Sequence, residues 1–252
     1  KKFALLLTHD IDTLRGHDRS IALMNEEKKL GFKSAFYFVA QSYVNSLEVH
    51  SELKKNGNEI GLHGIYHDHK TFQSRKNFLK RIDSINHYLH AWQAEGFRAP
   101  SMLCNLSWLH DLHITYDSST YDFDPFEPTG GGVGKIFPFK ITDPKTGKAY
   151  VEIPYTLPQD FTVFILMKDK TIEHYKKKLD WLVKQGGMAH IITHPDYMRF
   201  QGDPVSEETY PVEYYIEFLN YIKMHYEGQY WMALCKDVAS FYTEISTKGK
   251  NV

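Results

Sequence analysis

The sequence predicts an α/β fold, an irregular parallel (β/α) barrel of seven or eight strands with a hairpin excursion, as a single domain over 1–252. Three observations predict it. Short apolar runs alternate with longer amphipathic stretches, the pattern of repeated β-α units. No internal repeat and no interdomain linker interrupts that alternation. The apolar fraction, 42% over 252 residues, supplies one sizeable core at a length normal for a single α/β barrel.

The elements follow in order. Phe3 to Leu7 is a continuous apolar run ending in Thr8-His9-Asp10, a buried strand with a polar tip. A helix near Ile21 to Leu30 stops at Gly31. Ser34 to Ala40 is the second strand, and Val49 to Asn56 a helix closed by Gly57. Ile60 to Leu62 leads into His63-Gly64. Phe78, Ile82, Ile85, Leu89 and Trp92 recur at three- and four-residue steps, a long helix with one core face. Gly96 to Pro100 reads as a strand end, and Ile114 to Tyr116 as a short strand before Asp117-Ser118-Ser119. From Asp122 to Gly147 no period is visible and Gly and Pro accumulate. This is the excursion, with 135–141 and 149–154 as strands of a hairpin. Its glycines lack the spacing of a phosphate-binding loop. A helix near Thr171 to Lys184, a strand from Ala189 to Thr193 and a helix near Pro211 to Tyr226 follow. Tyr230 to Leu234 as a strand and Lys236 to Ile245 as a helix close the chain.

Charge narrows the function classes. Thirty Lys and Arg stand against 31 Asp and Glu, a balance that offers no field for nucleic acid or an anionic membrane. No apolar run approaches the ~18–20 residues that cross a bilayer, so no membrane insertion is expected. The chain opens at Lys1 with no Met and no signal peptide, and both cell envelope and cytoplasm stay open. Two cysteines, Cys104 and Cys235, are too few for a disulfide framework. Aromatics make up 15% of the chain. Most belong to the core, but exposed Tyr and Trp faces also suit sugar rings.

In such a barrel the site lies where polar residues cap the C-terminal ends of strands. Asp10 and Asp12 end the first strand, His63 and His67 follow the third, Arg98 closes another and His194 ends a late one. His63 and His67, four apart, share one face of a helical turn and can grip one cation. With a carboxylate beside them they leave an open position on Zn²⁺ for water or substrate. Asp10 and Asp12, two apart on an extended strand, point to one side. Two carboxylates so placed need relief, which a metal on Asp12 and an arginine on Asp10 would give. The bland readings are an N-cap for Asp12 or Thr13, a core ion pair for Arg98 and a satisfied strand-end histidine for His194. His190 shares a face with His194 and is a secondary candidate, while His9 and His69 flank the motifs. His17, His50, His110, His113, His174 and His225 read as solvated or capping residues.

These clusters resemble the polysaccharide deacetylase (NodB-like, carbohydrate esterase family 4) superfamily. Thr8-His9-Asp10-Ile11-Asp12 resembles its first motif, in the variant branch where one residue separates the aspartates. His63-Gly64-Ile65-Tyr66-His67 resembles the second, Arg98-Ala99-Pro100-Ser101 the third, Tyr116-Asp117-Ser118-Ser119 the fourth and Ile192-Thr193-His194-Pro195 the fifth. All five occur in family order. The resemblance implies a divalent metal, zinc first with Co²⁺, Ni²⁺ or Mn²⁺ as alternatives, on Asp12, His63 and His67. It implies Asp10 as general base held by Arg98, His194 as the acid toward the departing amine, and the Ser101 backbone N–H in the oxyanion site. Asp117 becomes the charge partner of His194, with Asp122 as the alternate. Glu152-Ile153-Pro154-Tyr155 and Leu157-Pro158-Gln159-Asp160 resemble segments of surface-polysaccharide deacetylases and are expected to line the barrel mouth. Three departures stand out: Ile11 between the aspartates, Gly64 for Ser or Thr, and no Asp-Trp pair in the fourth motif.

The expected activity is hydrolysis of N-acetyl, or else O-acetyl, groups on a bacterial polysaccharide or peptidoglycan, with the acetylated glycan as partner and the oligomeric state open. An allantoinase-like hydrolase of a small cyclic amide or ureide is the alternative, and a sugar-binding relative without catalysis is the third reading. The last needs neither a base nor an acid, which argues against it.

Overall fold

The computed structural model describes residues 1–127 and 130–248. Six helices and eleven strands alternate: β1 (Phe3–Ile11), α1 (Leu14–Lys29), β2 (Ala35–Phe38), α2 (Leu47–Lys55), β3 (Glu59–Leu62), α3 (Arg75–Ala91), β4 (Gly96–Phe97), β5 (Tyr116–Asp117), β6 (Phe139–Thr142), β7 (Ala149–Glu152), α4 (Glu173–Gln185), β8 (Met188–Thr193), β9 (Met198–Arg199), β10 (Tyr210–Pro211), α5 (Val212–Tyr226), β11 (Tyr230–Met232) and α6 (Cys235–Lys248). A π-helical turn, Phe161–Leu166, lies between β7 and α4.

The expected parallel barrel is present. β1 pairs in parallel with β2, β8 and β11, and the wall continues β2-β3-β4-β5-β7, all parallel. Among the described strands only β6 runs antiparallel, on the far edge of β7. Between β7 and β8 the wall is stitched by Thr156, whose N–H donates to the His190 carbonyl at 3.0 Å and whose Oγ1 donates to the Met188 carbonyl at 2.6 Å. The predicted hairpin therefore exists, but its second strand is a barrel stave and not part of the excursion. The reason lies in Tyr150 and Val151, both buried, which give β7 a core-facing character.

The pleat sorts side chains into two cores. Leu5, Leu7 and Ile11 of β1 face the helices with Phe36, Phe38, Leu62 and Phe97. Leu6 faces the barrel interior with Tyr37, Tyr116, Val151 and Met188. Register then fixes levels: Ile11, Phe38, Leu62, Phe97, Asp117 and Glu152 are successive partners across the sheet. This row faces outward, toward the helices. The rows beside it, which hold Asp10, Arg98 and Ser118, face inward.

Several boundaries move. β1 extends to Ile11 because Thr8, His9 and Asp10 all stay in the ladder. Helix α1 starts at Leu14, seven residues before the apolar period, because Thr13 caps it by accepting the Arg15 N–H. His17 and His50, read as solvated or capping, are buried. The short parallel pair β9 and β10 carries no sequence signal, being two residues on each side.

Candidate active site

Asp10 is the last inward-facing residue of β1 and Asp12 lies one residue past its end. His63 directly follows β3. His67 reaches the same point by a bend and not by the helical turn expected from the spacing: Gly64 adopts φ +72°, and a Cβ there would lie 2.9 Å from the Pro100 ring. Glycine at position 64 thus follows from a left-handed backbone packed against Pro100.

His63 Nε2 lies 3.3 Å from Asp12 Oδ1 and 3.7 Å from Asp10 Oδ2, and His67 Nε2 lies 3.6 Å from Asp12 Oδ1. The ligand atoms of Asp12, His63 and His67 all fall within 4.8 Å of one another. Asp12 Oδ1 is buried without a hydrogen-bond partner. His63 Nδ1 sits 3.0 Å from the Arg98 carbonyl, which can only accept, so the proton is on Nδ1 and the Nε2 lone pair faces Asp12. A buried orphan oxygen beside two imidazole nitrogens is a donor set that fits a divalent cation.

Behind the site Arg98 is fully buried and all five of its N–H groups have partners. Nε donates to the Ser118 carbonyl at 2.9 Å. Nη1 donates to Asp10 Oδ1 at 2.7 Å and Thr8 Oγ1 at 3.1 Å, and Nη2 to Ser118 Oγ at 2.9 Å and His190 Nε2 at 3.1 Å. Its guanidinium lies over the Tyr37 ring, 4.1 Å from the centroid. His190 Nδ1 meets the Pro154 carbonyl at 3.1 Å. His190 is therefore a neutral acceptor for Arg98, and burial together with the Arg98 charge pushes its pKa well down. It supports the base pair and does not line the cleft. Burial opposes a charge on Asp10, but Arg98, the largest of the opposing charges, holds its carboxyl below the usual range.

At the end of β8, the strand beside β1, His194 Nδ1 lies 2.6 Å from Asp160 Oδ1, and the His194 N–H donates to Asp160 Oδ2 at 2.8 Å. Burial alone would lower the His194 pKa. Asp160, together with Asp12 and Asp10, outweighs it and pushes the pKa up to about 10. This corrects the expected partnership. Asp117 sits in register with Phe97, one residue out of step with Arg98, and therefore faces away from the barrel interior. It is fully buried against Ser119 and Glu152 instead. Asp122 pairs with Lys178 at 2.5 Å. The partner is Asp160, and nothing in the sequence separated it from the other acids that follow strands.

A cleft of about 400 Å³ opens over these groups, lined among others by Ser101, Met102, Phe126, Glu127, Gln159 and Tyr197. Of the two segments expected at the mouth, Gln159 lines it and Asp160 backs His194, whereas Glu152 and Tyr155 are buried in the wall. Ser101 reaches the cleft on a left-handed backbone, φ +53°, with His69 Nε2 3.3 Å from its hydroxyl. His9 faces outward and bonds Glu27 at 2.9 Å and Thr193 at 2.7 Å, a structural role. Glu127, Phe161 and Tyr197 at the cleft were not anticipated. The first lies in the aperiodic excursion, and the other two resemble ordinary core aromatics.

Residues 1–105 match the family model for polysaccharide deacetylase. The chain superposes on a protein from Mycobacterium smegmatis described as a "putative polysaccharide deacetylase" (TM-score 0.72, 17% identity, 98% of this chain and 92% of that one). It superposes on one from Pseudomonas aeruginosa PAO1, described as a probable polysaccharide deacetylase (0.67, 18%, 96% and 91%), and on the Puue allantoinase (0.69, 17%, 95% and 89%). No curated protein matches. The barrel fold is shared with these structures.

Proposed function

We propose that this chain, whose residues 1–105 match the family model for polysaccharide deacetylase, is a metal-dependent hydrolase that removes N-acetyl groups from a glycan. The observation that carries the reading is that a base candidate and an acid candidate, each held by its own charged partner, line one cleft with a cation donor set. Asp10 is paired with Arg98 and His194 with Asp160, and Asp10, His194, Asp12, His63 and His67 all line the same cleft.

Asp12, His63 and His67 would hold a divalent cation, zinc first by donor type, which supplies Lewis acidity toward an acyl oxygen and water. Asp10, kept ionised by Arg98, accepts the proton of the attacking water. His194, kept protonated by Asp160, gives a proton to the departing nitrogen, which an amide requires because an amine anion is a poor leaving group. The Ser101 N–H is the candidate donor to the developing oxyanion. A cation-binding module without catalysis would need neither pair.

Phe126 and Leu166, both about half exposed at the rim, together with the Tyr197 ring favour a substrate with extended apolar faces, as pyranose rings have. An O-acetyl ester is the second acyl class. A small ureide is the alternative substrate. Acetate release by zinc-loaded protein from N-acetylglucosamine oligomers and peptidoglycan, against ammonia or ureido-acid release from small ureides, tests the reading. Turnover of the ureide alone, or of none of them, would refute deacetylation. If Asp12→Ala leaves the zinc content unchanged, the metal assignment is wrong.

A further inference from the structure

Asp196 lies two residues beyond His194, outside the groups assigned above. One of its carboxylate oxygens, Oδ1, accepts the Thr13 N–H at 3.0 Å and the Thr13 hydroxyl at 2.5 Å. The other, Oδ2, accepts the Asp12 N–H at 3.3 Å. A single buried carboxylate thus gathers three donors from the turn where β1 ends and α1 begins. Asp12 Oδ1, in contrast, has no hydrogen-bond partner of its own. The aim of the Asp12 carboxylate is therefore set through its backbone, and Asp196 is what holds that backbone.

Gly16 stands inside α1, where glycine is a poor helix former. Its backbone does not need a glycine, since it lies within α1 outside the left-handed region. Space does. A Cβ at Gly16 would lie 2.1 Å from Asp196 Oδ2 and 2.7 Å from its Cγ. One turn later Arg19 Nη1 donates to the Met198 carbonyl at 2.7 Å and reaches the carbonyls of Pro195 and Asp196 at 3.4 Å, and its Nη2 pairs with Asp203. The first helix thus grips both ends of the loop that follows His194.

We infer that Asp196 is a positioning residue for the cation site, that it fixes the Asp12–Thr13 turn to the His194 loop, and that position 16 lacks a side chain to admit it. The inference rests on the metal-binding reading above. Supporting groups of this kind commonly govern cation affinity by 10–100-fold.

The test is zinc affinity by competition with a chromophoric chelator, with urea unfolding of each metal-free protein, for wild type, Asp196→Asn, Gly16→Ala and the double variant. Asn at 196 cannot accept from all three donors. The expected result is a ~10-fold or greater loss of zinc affinity in each single variant. The double variant should lose no more than the larger of the two single losses, because both substitutions act through the one side chain at position 196. Unchanged zinc affinity in Asp196→Asn, even with a lower unfolding midpoint, would make the contact merely structural and overturn the inference. Losses that add in the double variant would overturn the role of Gly16. Wild-type protein that binds no zinc would instead overturn the metal reading itself.

Discussion

Asp160 holds His194 at two points, its Oδ1 2.6 Å from the imidazole Nδ1 and its Oδ2 accepting the His194 backbone N–H at 2.8 Å. Tyr210 adds a third restraint by donating its hydroxyl to Oδ2 at 2.8 Å. The carboxylate therefore sets both the orientation of the ring and its charge.

A charge dependence on pH follows. With a His194 pKa pushed up to about 10, the protonated ring is present through neutral pH and is lost only in alkali. Replacing Asp160 by Asn removes the adjacent negative charge, so the pKa must fall, and an acid that is needed protonated then fails at lower pH. The alkaline limb of kcat should move down by at least ~1 pH unit, with kcat at neutral pH reduced as well. A pH–rate profile of Asp160→Asn checks this, and an unshifted limb would assign the acid elsewhere. The same substitution at Asp117 should leave that limb in place.

Asp10→Asn separates base from ligand. Asn can still accept from Arg98 Nη1 through its oxygen, and the three cation donors are untouched. Hydrolysis should fall by ~10²–10⁴ while zinc stoichiometry stays at one. The unfolding midpoint should also drop, because Arg98 keeps its charge in a fully buried place without its anion. Paired acetate-release and zinc titrations measure both effects.

Arg98→Lys should not be conservative. The five donors of Arg98 meet a carboxylate, a carbonyl, two hydroxyls and an imidazole nitrogen, and a planar fork satisfies them where a three-donor ammonium cannot. Two or more buried acceptors then lose a partner at ~1–3 kcal/mol each. The urea midpoint should fall by the equivalent of about 3 kcal/mol at constant slope, and activity should fall with it. Retained midpoint and activity would show that charge alone is what Asp10 requires.

Much of this was legible in the chain. The apolar alternation marked the staves of the wall, and polar residues at strand ends marked Asp10, Asp12, His63, His67, Arg98 and His194. What escaped depends on register. Asp117 sits at a strand end like the others, but whether it faces in or out turns on pairing with Phe97 and not Arg98, a one-residue matter that no local pattern encodes. Asp160 comes from an aperiodic stretch 34 residues before His194, and only the closed barrel brings them together. Histidine spacing pointed to a helical turn at His63–His67, whereas Gly64 makes a tight bend that serves equally well.

The register that removes Asp117 from the site gives it another role. Asp117 and Glu152 are direct partners on β5 and β7, both fully buried, and Ser119 N–H reaches Asp117 Oδ2 at 2.9 Å and Glu152 Oε1 at 3.2 Å. No cation lies within ion-pair distance of either among the described residues, so two carboxyls at this spacing must share a proton. Burial raises both: Asp117 to about 6, and Glu152 well above its ordinary range. Glu152 is then the proton carrier and donates to Asp117. Because the Asp117 pKa is higher folded than unfolded, its contribution to stability is complete below about pH 4 and is lost as pH rises through about 6. Glu152→Gln keeps both an acceptor for Thr120, 2.7 Å away, and a donor toward Asp117, so it should be tolerated. Asp117→Asn turns an amide N–H toward the Ser119 donors and should cost ~1–3 kcal/mol. It should also flatten the fall in stability between pH 5 and pH 7.5. Urea unfolding of the three proteins at those two pH values decides it: a costly Glu152→Gln beside a harmless Asp117→Asn would place the proton on the other carboxyl.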